Sequence, residues 1–349
     1  MFFCILISKN FSAKNIFIKN LFIFFKFLAQ DRIYNTKYYQ KIKLIEFIKN
    51  ISKNKNSEFL LEIDKVYKSK NLKETLDEIN EYGFSEKIKL VIEKDEPKNV
   101  VKYFDKADYY DGHIPFFGPK KKYNINPDSA YKSYDYETQL NNSTLLKICI
   151  NENIIKLAER YLKCPPKIYS INTFKTIPQK KAFTHEFHRD LDNLKWLVVF
   201  IYWTKTDCDN GAFEQIKYTH RPSQNLNNML KRSPNIFKDN FDSFFNETIP
   251  GYGFDKMYEK YFGNEIQRIF GNPGKVVVTD TIGLHRGANV KKDRLVTWIR
   301  YGVIPSRQQI MEQKSFFKKK IKLNKKSQII LKNSKFKEVL SFFDLNLST

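Results

Sequence analysis

Four residues in the second half of the sequence have types and spacings that suit a metal centre. His188 and Asp190 are two positions apart, His285 lies far downstream, and Arg294 follows His285 by nine positions. Residues two apart on a strand point to the same side, so the imidazole and the carboxylate can converge on one ion. Two imidazoles and one carboxylate can hold one face of a non-haem Fe(II) ion and leave positions open for a cosubstrate and O2. The Arg294 guanidinium can form a bidentate pair of hydrogen bonds with a carboxylate of that cosubstrate.

Other polar residues near these positions are weaker candidates, and the sequence favours a structural role for each. His185 and His188 are three positions apart rather than four, which excludes the HExxH spacing of a zinc-binding helix. His185 is expected to be an ordinary strand residue, and His220 is expected to cap a loop. Asp280 is predicted to make a turn hydrogen bond. Arg300 is either a second basic residue near the mouth of the site or part of an ion pair within the barrel.

The part of the chain before these residues is predicted to be largely helical. Residues 1–95 and 144–163 show the apolar recurrence of amphipathic helices. A helix predicted over residues 60–82 is expected to end at Gly83, and Ser143 or Thr144 is the predicted cap of the helix over 144–163. Residues 100–142 are rich in Tyr, Gly, Pro and Asp, so we expect irregular structure there and a structural role for the histidine at position 113.

From residue 167 onward, the pattern predicts short strands instead. The predicted strands are residues 168–174, 182–188, 195–203, 211–217, 275–279, 282–286 and 295–303. The third of them is apolar on both faces and is therefore expected to be buried. Residues at about 222–272 interrupt the strands and are predicted to form a helical insertion. Several short strands without regularly alternating helices predict an antiparallel sandwich or barrel.

The net charge of +23 is concentrated at the two ends of the chain. Residues 1–56 carry 11 basic and 2 acidic side chains, and residues 311–349 carry 10 basic and 3 acidic ones. The body of the chain is far less basic for its length, so the charge does not predict a nucleic-acid partner. The hydrophobic content of 42% excludes a wholly disordered chain.

Cysteine usage and the N-terminal pattern bear on location. The four cysteines show neither C-x-x-C spacing nor a disulfide framework, so we expect a reducing, cytoplasmic environment. Residues 1–30 are apolar but are interrupted by lysines, and they contain no run of about 20 residues that could span a bilayer. A helix packed on the body is favoured over a basic amphipathic helix at a membrane surface.

Taken in order, these motifs resemble the phytanoyl-CoA dioxygenase family of Fe(II)/2-oxoglutarate oxygenases, particularly its bacterial members. The resemblance covers roughly residues 140–304. It rests on FHRD at 187–190, NGAF at 210–213, TH at 219–220, and HRG at 285–287 followed by Arg294.

The resemblance implies both a fold and a set of site residues. The fold is mainly β with flanking helices, and its core is a double-stranded β-helix of the jelly-roll, cupin-like kind. This core would occupy residues 96–307, between a helical N-terminal region (1–95) and a basic, helical tail (308–349). The implied site residues are His188, Asp190 and His285 for iron and Arg294 for 2-oxoglutarate, with Lys175 and Trp203 lining the cosubstrate pocket.

The activity implied by the resemblance is hydroxylation of a small-molecule, acyl or sugar-type substrate. Fe(II), 2-oxoglutarate and O2 would take part, with succinate and CO2 as products. Asp190 favours hydroxylation, because the halogenating relatives lack this carboxylate. Two positions depart from the common pattern: Phe187 stands where many members have Trp, and Gly287 stands where some have a hydroxyl that helps hold the cosubstrate.

Two other classes of function stay open on the sequence alone. One is a catalytically inactive β-helix protein with a binding or structural role. The other is a basic protein that uses residues 1–56 and 311–349 on nucleic acid or a membrane surface. No nucleic-acid module is visible in the sequence, so we expect a small-molecule substrate, no specific nucleic-acid partner and at most weak membrane-surface contact. The identity of the substrate and the oligomeric state do not follow from the sequence.

Overall fold

A computed structural model describes residues 70–111, 130–162, 165–180, 182–190, 195–220, 253–288, 290–302 and 320–346. The N-terminal stretch, the histidine at position 113, most of the predicted insertion and the start of the basic tail lie outside the described residues. None of the described helices has the length and apolar character that a bilayer crossing requires.

The described residues form seven helices and twelve strands. The helices are α1 (Lys70–Tyr82), α2 (Glu96–Lys106), α3 (Tyr136–Leu140), α4 (Ser143–Cys149), α5 (Glu152–Leu162), α6 (Asp255–Phe262) and α7 (Lys325–Lys332). The strands are β1 (Phe84–Ser85), β2 (Tyr110–Asp111), β3 (Tyr131–Ser133), β4 (Lys167–Thr176), β5 (Leu197–Tyr202), β6 (Phe213–Ile216), β7 (Ile266–Ile269), β8 (Val276–Thr279), β9 (His285–Gly287), β10 (Arg294–Gly302), β11 (Ile321–Lys322) and β12 (Leu345–Asn346).

Two antiparallel sheets form the centre of the molecule. The large sheet has the strand order β1-β8-β5-β10-β4-β3-β2, and the small sheet has the order β7-β6-β9. An isolated antiparallel bridge between His188 and His285 adds one more segment to the small sheet, beside β9. Tyr202 and Val296 of the large sheet pack in one apolar cluster with Phe213 and Ile269 of the small sheet, so the two sheets face each other.

The path of the chain between the sheets defines the fold. From β4 in the large sheet the chain passes to His188 in the small sheet and returns to the large sheet as β5. It then runs through β6 and β7 in the small sheet and alternates through β8, β9 and β10. Eight segments that wind in this way between two facing sheets form a double-stranded β-helix. The structure thereby confirms the predicted mainly β, jelly-roll fold with flanking helices.

The two faces of the large sheet serve different purposes. The outward face of β5 (Leu197, Val199 and Ile201) lies in the main hydrophobic core, which also contains residues of α1, α2, α4 and α5. Full burial of one such side chain stabilises the fold by about 1.5–3 kcal/mol. The inward side chains of β5, Val198 and Tyr202, face the small sheet and lie in separate clusters. Both faces are covered, which explains why this segment is apolar throughout.

The helical part of the chain differs from the prediction in two places. Residues 100–142 were expected to be irregular, yet α2 and α3 lie largely within them. The single helix predicted over 144–163 is two helices, α4 and α5, with a break at Ile150 and Asn151. Asn142, rather than Ser143 or Thr144, caps α4, because its side chain accepts a hydrogen bond from the Leu145 amide. The predicted end of α1 at Gly83 is confirmed, with φ of +93°.

The β region also differs from the prediction. Residues 182–188 do not form a continuous strand but a 3-10 turn (Phe183–His185) followed by the single bridge at His188. The predicted insertion at 222–272 contains β7, which pairs with β6 and completes the small sheet. The tail described from residue 320 carries α7 and also two short strands, β11 and β12, paired in parallel. Asn324 is hydrogen-bonded to Asn141, so this part of the tail packs on the helical layer.

Candidate metal centre

The fold brings the two predicted histidines and the predicted carboxylate together between the sheets. His285 Nε2 lies 3.7 Å from Asp190 Oδ2, and His188 Nε2 lies 4.0 Å from Asp190 Oδ1. One donor atom from each residue lies within 4.8 Å of the other two. The backbones of His188 and His285 are bridged by two hydrogen bonds of 3.0 Å, which fix the spacing of the imidazoles. These three side chains can hold one metal ion.

Backbone carbonyls orient both imidazoles for this role. His188 Nδ1 lies 2.8 Å from the Glu186 carbonyl oxygen, and His285 Nδ1 lies 2.9 Å from the Gly283 carbonyl oxygen. A carbonyl only accepts hydrogen bonds, so each neutral ring carries its proton on Nδ1. Nε2 of each ring is then left with a lone pair facing the other two donors. A hydrogen bond on the far nitrogen is the usual support for a metal-binding histidine.

The protonation states also favour a cation. Burial and, after it, the neighbouring His285 lower the pKa of His188 to about 4, so His188 is a neutral imidazole at physiological pH. Burial alone would raise the pKa of Asp190. Arg300 and then the two histidines outweigh that effect and hold the pKa below its usual value. The site therefore presents the Asp190 carboxylate and the neutral imidazole of His188, with the His285 Nε2 beside the carboxylate. Two imidazole nitrogens and one carboxylate oxygen are the donor set of a borderline divalent ion.

Arg294 begins β10 and is buried beside the metal centre. Its Nη2 donates to Thr176 Oγ1 at 3.3 Å, and its Cζ lies 6.0 Å from the centre of the Phe174 ring. Its Nε is buried without a hydrogen-bond partner, and no carboxylate pairs with Arg294 among the described residues. Burial lowers its pKa, because the charged form loses its hydration. A buried guanidinium without an acidic partner fits an anionic ligand that the protein must bind from outside.

Two glycines lie beside this guanidinium, and one of them, Gly211, leaves room for it. A Cβ at Gly211 would lie 2.8 Å from Arg294 Nη1, and Gly211 also has a φ of +63°. A Cβ at Gly287 would lie 3.6 Å from Arg294 Nη2. Gly287 is two residues beyond His285 on β9, so Arg294 lies one strand repeat away from the metal centre. The glycine of the NGAF motif thus makes space for Arg294, whereas the glycine of the HRG motif lies at ordinary contact distance from it.

The structure does not bring Lys175 and Trp203 to this site. Lys175 Nζ pairs with Asp293 at 2.9 Å and with Asp105 at 3.1 Å. Trp203 belongs to the main core behind the large sheet, where its Nε1 donates to Thr297 Oγ1 at 2.7 Å. These placements correct the prediction that both residues line the cosubstrate pocket. The physical reason is strand alternation, since the neighbours Phe174 and Tyr202 are the residues that face the small sheet.

The other polar motif residues support the strands that carry the ligands. Thr219 Oγ1 donates to the Ile216 carbonyl and accepts from the Leu284 amide at 2.8 Å, which fixes the strand just before His285. His220 Nε2 lies 3.2 Å from the carbonyl oxygen of Asn80 in α1. The TH motif therefore acts through the backbone, away from the metal-binding atoms.

The remaining candidates also have structural positions. His185 lies in the 3-10 turn, where its Nδ1 accepts from the Ala182 amide at 3.3 Å. Asp280 accepts from the Ile282 amide and from the Tyr161 hydroxyl, which includes the predicted turn hydrogen bond. Arg189 points away from Asp190 and its Nη1 donates to the Ile282 carbonyl at 2.8 Å.

A network of charges lies behind the metal centre, which sequence reasoning missed. Arg286, next to His285, pairs with Glu214 at 2.7 Å, with Glu259 at 2.9 Å and with Asp255 at 2.5 Å. Asp255 also accepts a hydrogen bond of 2.7 Å from the amide of Phe187, the residue before His188. One carboxylate at the start of α6 therefore joins the segments that carry the two histidines. The only sequence signal was the charge of Arg286, whose partners are 27 to 72 residues away.

Comparison with known proteins gave similarity at the level of solved structures. No protein-family model and no curated protein matches the chain. HygX from Streptomyces hygroscopicus, with nickel and 2-oxoglutarate bound, is 13% identical with a TM-score of 0.43, over 72% of this chain and 90% of that chain. The epimerase SnoN, in complex with Fe3+, alpha ketoglutarate and nogalamycin RO, is 14% identical with a TM-score of 0.44, over 66% and 83%. EctD from S. alaskensis, with 2-oxoglutarate and 5-hydroxyectoine, is 13% identical with a TM-score of 0.43, over 66% and 75%.

Proposed function

We propose that this chain is an Fe(II)- and 2-oxoglutarate-dependent dioxygenase that hydroxylates a small molecule. The observation that carries the proposal is one arrangement: two imidazoles and one carboxylate that can hold a metal ion, with the buried guanidinium of Arg294 one strand repeat away. The guanidinium has no acidic partner among the described residues, and 2-oxoglutarate brings a carboxylate. When bound, Fe(II) and 2-oxoglutarate supply the O2 chemistry and yield succinate and CO2.

The residues of the chain have separate tasks in this reaction. His188, Asp190 and His285 would hold the ion on one face and leave its other positions open to ligands. Arg294 would bind the far carboxylate of 2-oxoglutarate, and its bond to Thr176 and its ring contact with Phe174 keep the guanidinium in place. A guanidinium held in this way orients the cosubstrate before reaction begins.

Aromatic rings limit access of water to the centre. The Phe213 ring centre lies 5.7 Å from that of His285 and 4.8 Å from that of Phe200. Apolar walls of this kind exclude bulk water and so limit side reactions at the centre. Asp190 supports hydroxylation rather than halogenation, because halogenating members of the family that the sequence resembles lack the carboxylate.

Substitution of His188 tests the proposal directly. We expect the purified protein with Fe(II), ascorbate and a substrate to consume 2-oxoglutarate and release succinate. His188→Ala removes one of three ligands, so it should abolish succinate release and reduce Fe(II) binding by at least about tenfold. Lys175→Ala removes a cation on the opposite face of the same sheet and should leave both unchanged.

Two results would contradict the proposal. One is succinate release by His188→Ala at the rate of the unchanged protein. The other is a protein that binds neither Fe(II) nor 2-oxoglutarate, as judged by the absence of a rise in melting temperature with either ligand. That second result would favour the inactive β-helix protein instead.

A further inference from the structure

The carboxylate of Asp190 is held by two side chains that are not metal-ligand candidates. Arg300 Nη2 donates to its Oδ2 at 2.9 Å. The Thr281 hydroxyl forms a further hydrogen bond, which contributes to the low pKa of the Asp190 carboxyl. Thr281 is 0% exposed, and its backbone carbonyl also accepts from the Asp190 amide at 3.0 Å. One buried threonine therefore binds both the backbone and the side chain of this candidate ligand.

A buried tryptophan determines the direction of the hydrogen bonds at Thr281. Trp196 Nε1 lies 2.8 Å from Thr281 Oγ1, and Trp196 is 1% exposed. An indole N–H can only donate and a carboxylate can only accept, whereas a hydroxyl does both. Thr281 must therefore accept from Trp196, and its own proton is left to donate to Asp190. The result is a chain of hydrogen bonds from the indole through the hydroxyl to the carboxylate, in which each bond strengthens the next.

The place of Thr281 in the chain connects Asp190 to one of the histidines. Thr281 lies in the turn between β8 and β9, four residues before His285, the first residue of β9. The Asp280 side chain fixes this turn by accepting from the Ile282 amide at 3.1 Å. A fixed turn that binds Asp190 and leads into β9 helps to set the distance between the carboxylate and the imidazole, which is 3.7 Å from Asp190 Oδ2 to His285 Nε2.

The chain contains a second tryptophan–threonine pair, which lies in the main core instead. Trp196 and Trp203 flank β5, and the first packs with the inward-facing cluster whereas the second packs in the main core. Trp203 Nε1 donates to Thr297 Oγ1 at 2.7 Å, and the Thr297 hydroxyl is bonded to that of Thr173. Thr281 and Thr297 are both 0% exposed. The two pairs share their local chemistry, but the next group along the hydrogen bonds is a candidate metal ligand in only one of them.

We propose that Thr281 is a positioning residue for Asp190 in the metal centre, and that Trp196 directs the Thr281 hydroxyl toward the carboxylate. This inference rests on the proposed function, because it takes Asp190 to be a ligand of the ion. An ionised carboxylate has about four lone-pair sites and can rotate about its bond to the chain. The bonds from Arg300 and Thr281 use part of this capacity and limit the rotation, so the carboxylate meets the ion in one orientation. Loss of a group that supports a metal ligand typically lowers metal affinity about 10–100-fold.

Thr281→Val tests this inference through metal binding rather than turnover. Valine has nearly the shape of threonine but no hydroxyl, and the backbone carbonyl that binds the Asp190 amide stays in place. Co(II) is titrated into the full chain, and its visible absorption band reports both the affinity and the ligand field at the centre. We expect Thr281→Val to bind Co(II) about tenfold more weakly and to shift the band. Thr281→Ser keeps the hydroxyl and should retain the affinity and the band of the unchanged protein.

The pair in the main core provides the matched control. Thr297→Val removes a hydroxyl that is bonded to a buried indole in the same way. It should lower the melting temperature as Thr281→Val does, but it should leave the Co(II) affinity and the absorption band unchanged. If Thr281→Val does not fold, Trp196→Phe and Trp203→Phe form the equivalent pair of variants. Of these two, only Trp196→Phe should weaken Co(II) binding.

Three outcomes would overturn the inference while the proposed function stands. These are equal Co(II) affinity in Thr281→Val and the unchanged protein, a loss of affinity that the matched variant in the main core shares, and a loss that Thr281→Ser does not restore. Failure of the unchanged protein to bind Co(II), or to bind 2-oxoglutarate once it is loaded with Co(II), is a different result, and it would overturn the proposed function itself.

Discussion

The two faces of the large sheet are formed by the same strands but differ in role: the outward face packs in the core, and the inward face lines the candidate metal centre. On the outward face, Thr297 accepts a hydrogen bond from Trp203 and is bonded to Thr173, and apolar residues fill the rest. On the inward face, β10 carries the two guanidiniums of Arg294 and Arg300, with half-buried rings between them. The Thr173, Thr297 and Trp203 polar groups of the outward face are hydrogen-bonded to one another, whereas on the inward face the Arg294 Nε is buried without a hydrogen-bond partner. Residues that pack in the core and residues that line the candidate site thus alternate along each strand.

The largest expected effect is on the inward face. Arg294→Gln keeps a polar, hydrogen-bonding side chain but removes the charge, so 2-oxoglutarate should lose about 3–5 kcal/mol of binding free energy. Metal binding should be retained, because Arg294 is not one of the three ligands. Calorimetry of the Ni(II)-loaded protein with 2-oxoglutarate measures this loss. Unchanged affinity for 2-oxoglutarate would mean that Arg294 does not bind this cosubstrate.

A matched change on the outward face should have the opposite profile. Ile299 is fully buried in the main core, so Ile299→Ala should lower the free energy of unfolding by about 2–5 kcal/mol. The folded variant should bind Ni(II) and 2-oxoglutarate as the unchanged protein does. Urea unfolding and ligand titration of one preparation give both values. If Ile299→Ala weakened ligand binding as much as Arg294→Gln does, the two faces of the sheet would not have separate roles.

A smaller effect is expected behind the metal centre. Asp255 joins Arg286 to the amide of Phe187, so Asp255→Asn should loosen both histidine segments at once. Metal affinity should fall about tenfold, the lower end of the range for groups that support metal ligands. Glu259→Gln removes a more exposed partner of Arg286 and should have less effect on Ni(II) affinity. Equal effects of the two variants would show that only the total charge around Arg286 matters.

The sequence predicted structure correctly at positions where the residue type fits few other roles. The spacing of His188, Asp190 and His285 predicted their approach, because a strand places residues two apart on one side and the resemblance supplied the distant partner. The double-stranded β-helix was predicted from the resemblance rather than from periodicity. The end of α1 at Gly83 followed from the conformational freedom of glycine.

Other features of the structure depend on tertiary contacts and could not be predicted from the sequence. Lys175 and Trp203 were expected to line the pocket, but neither strand shows in its sequence which face is inward, and residues 195–203 are apolar on both faces. The strand β7 was hidden in a segment whose alternation is too short to recognise. The role of Asp255 is set by contacts with Phe187 and Arg286, which are 68 and 31 residues away. Such contacts form only when the whole fold is assembled.

The carbonyl oxygens of Glu186 and Gly283 each set the tautomer of a histidine two positions later in the same segment. A side-chain mutation elsewhere cannot delete a main-chain oxygen, so the backbone itself supplies the acceptor that orients each imidazole. A lineage could therefore replace most of the residues around this centre and still inherit two correctly presented nitrogen atoms. Such a centre can outlast nearly all other traces of common ancestry in a rapidly diverging sequence.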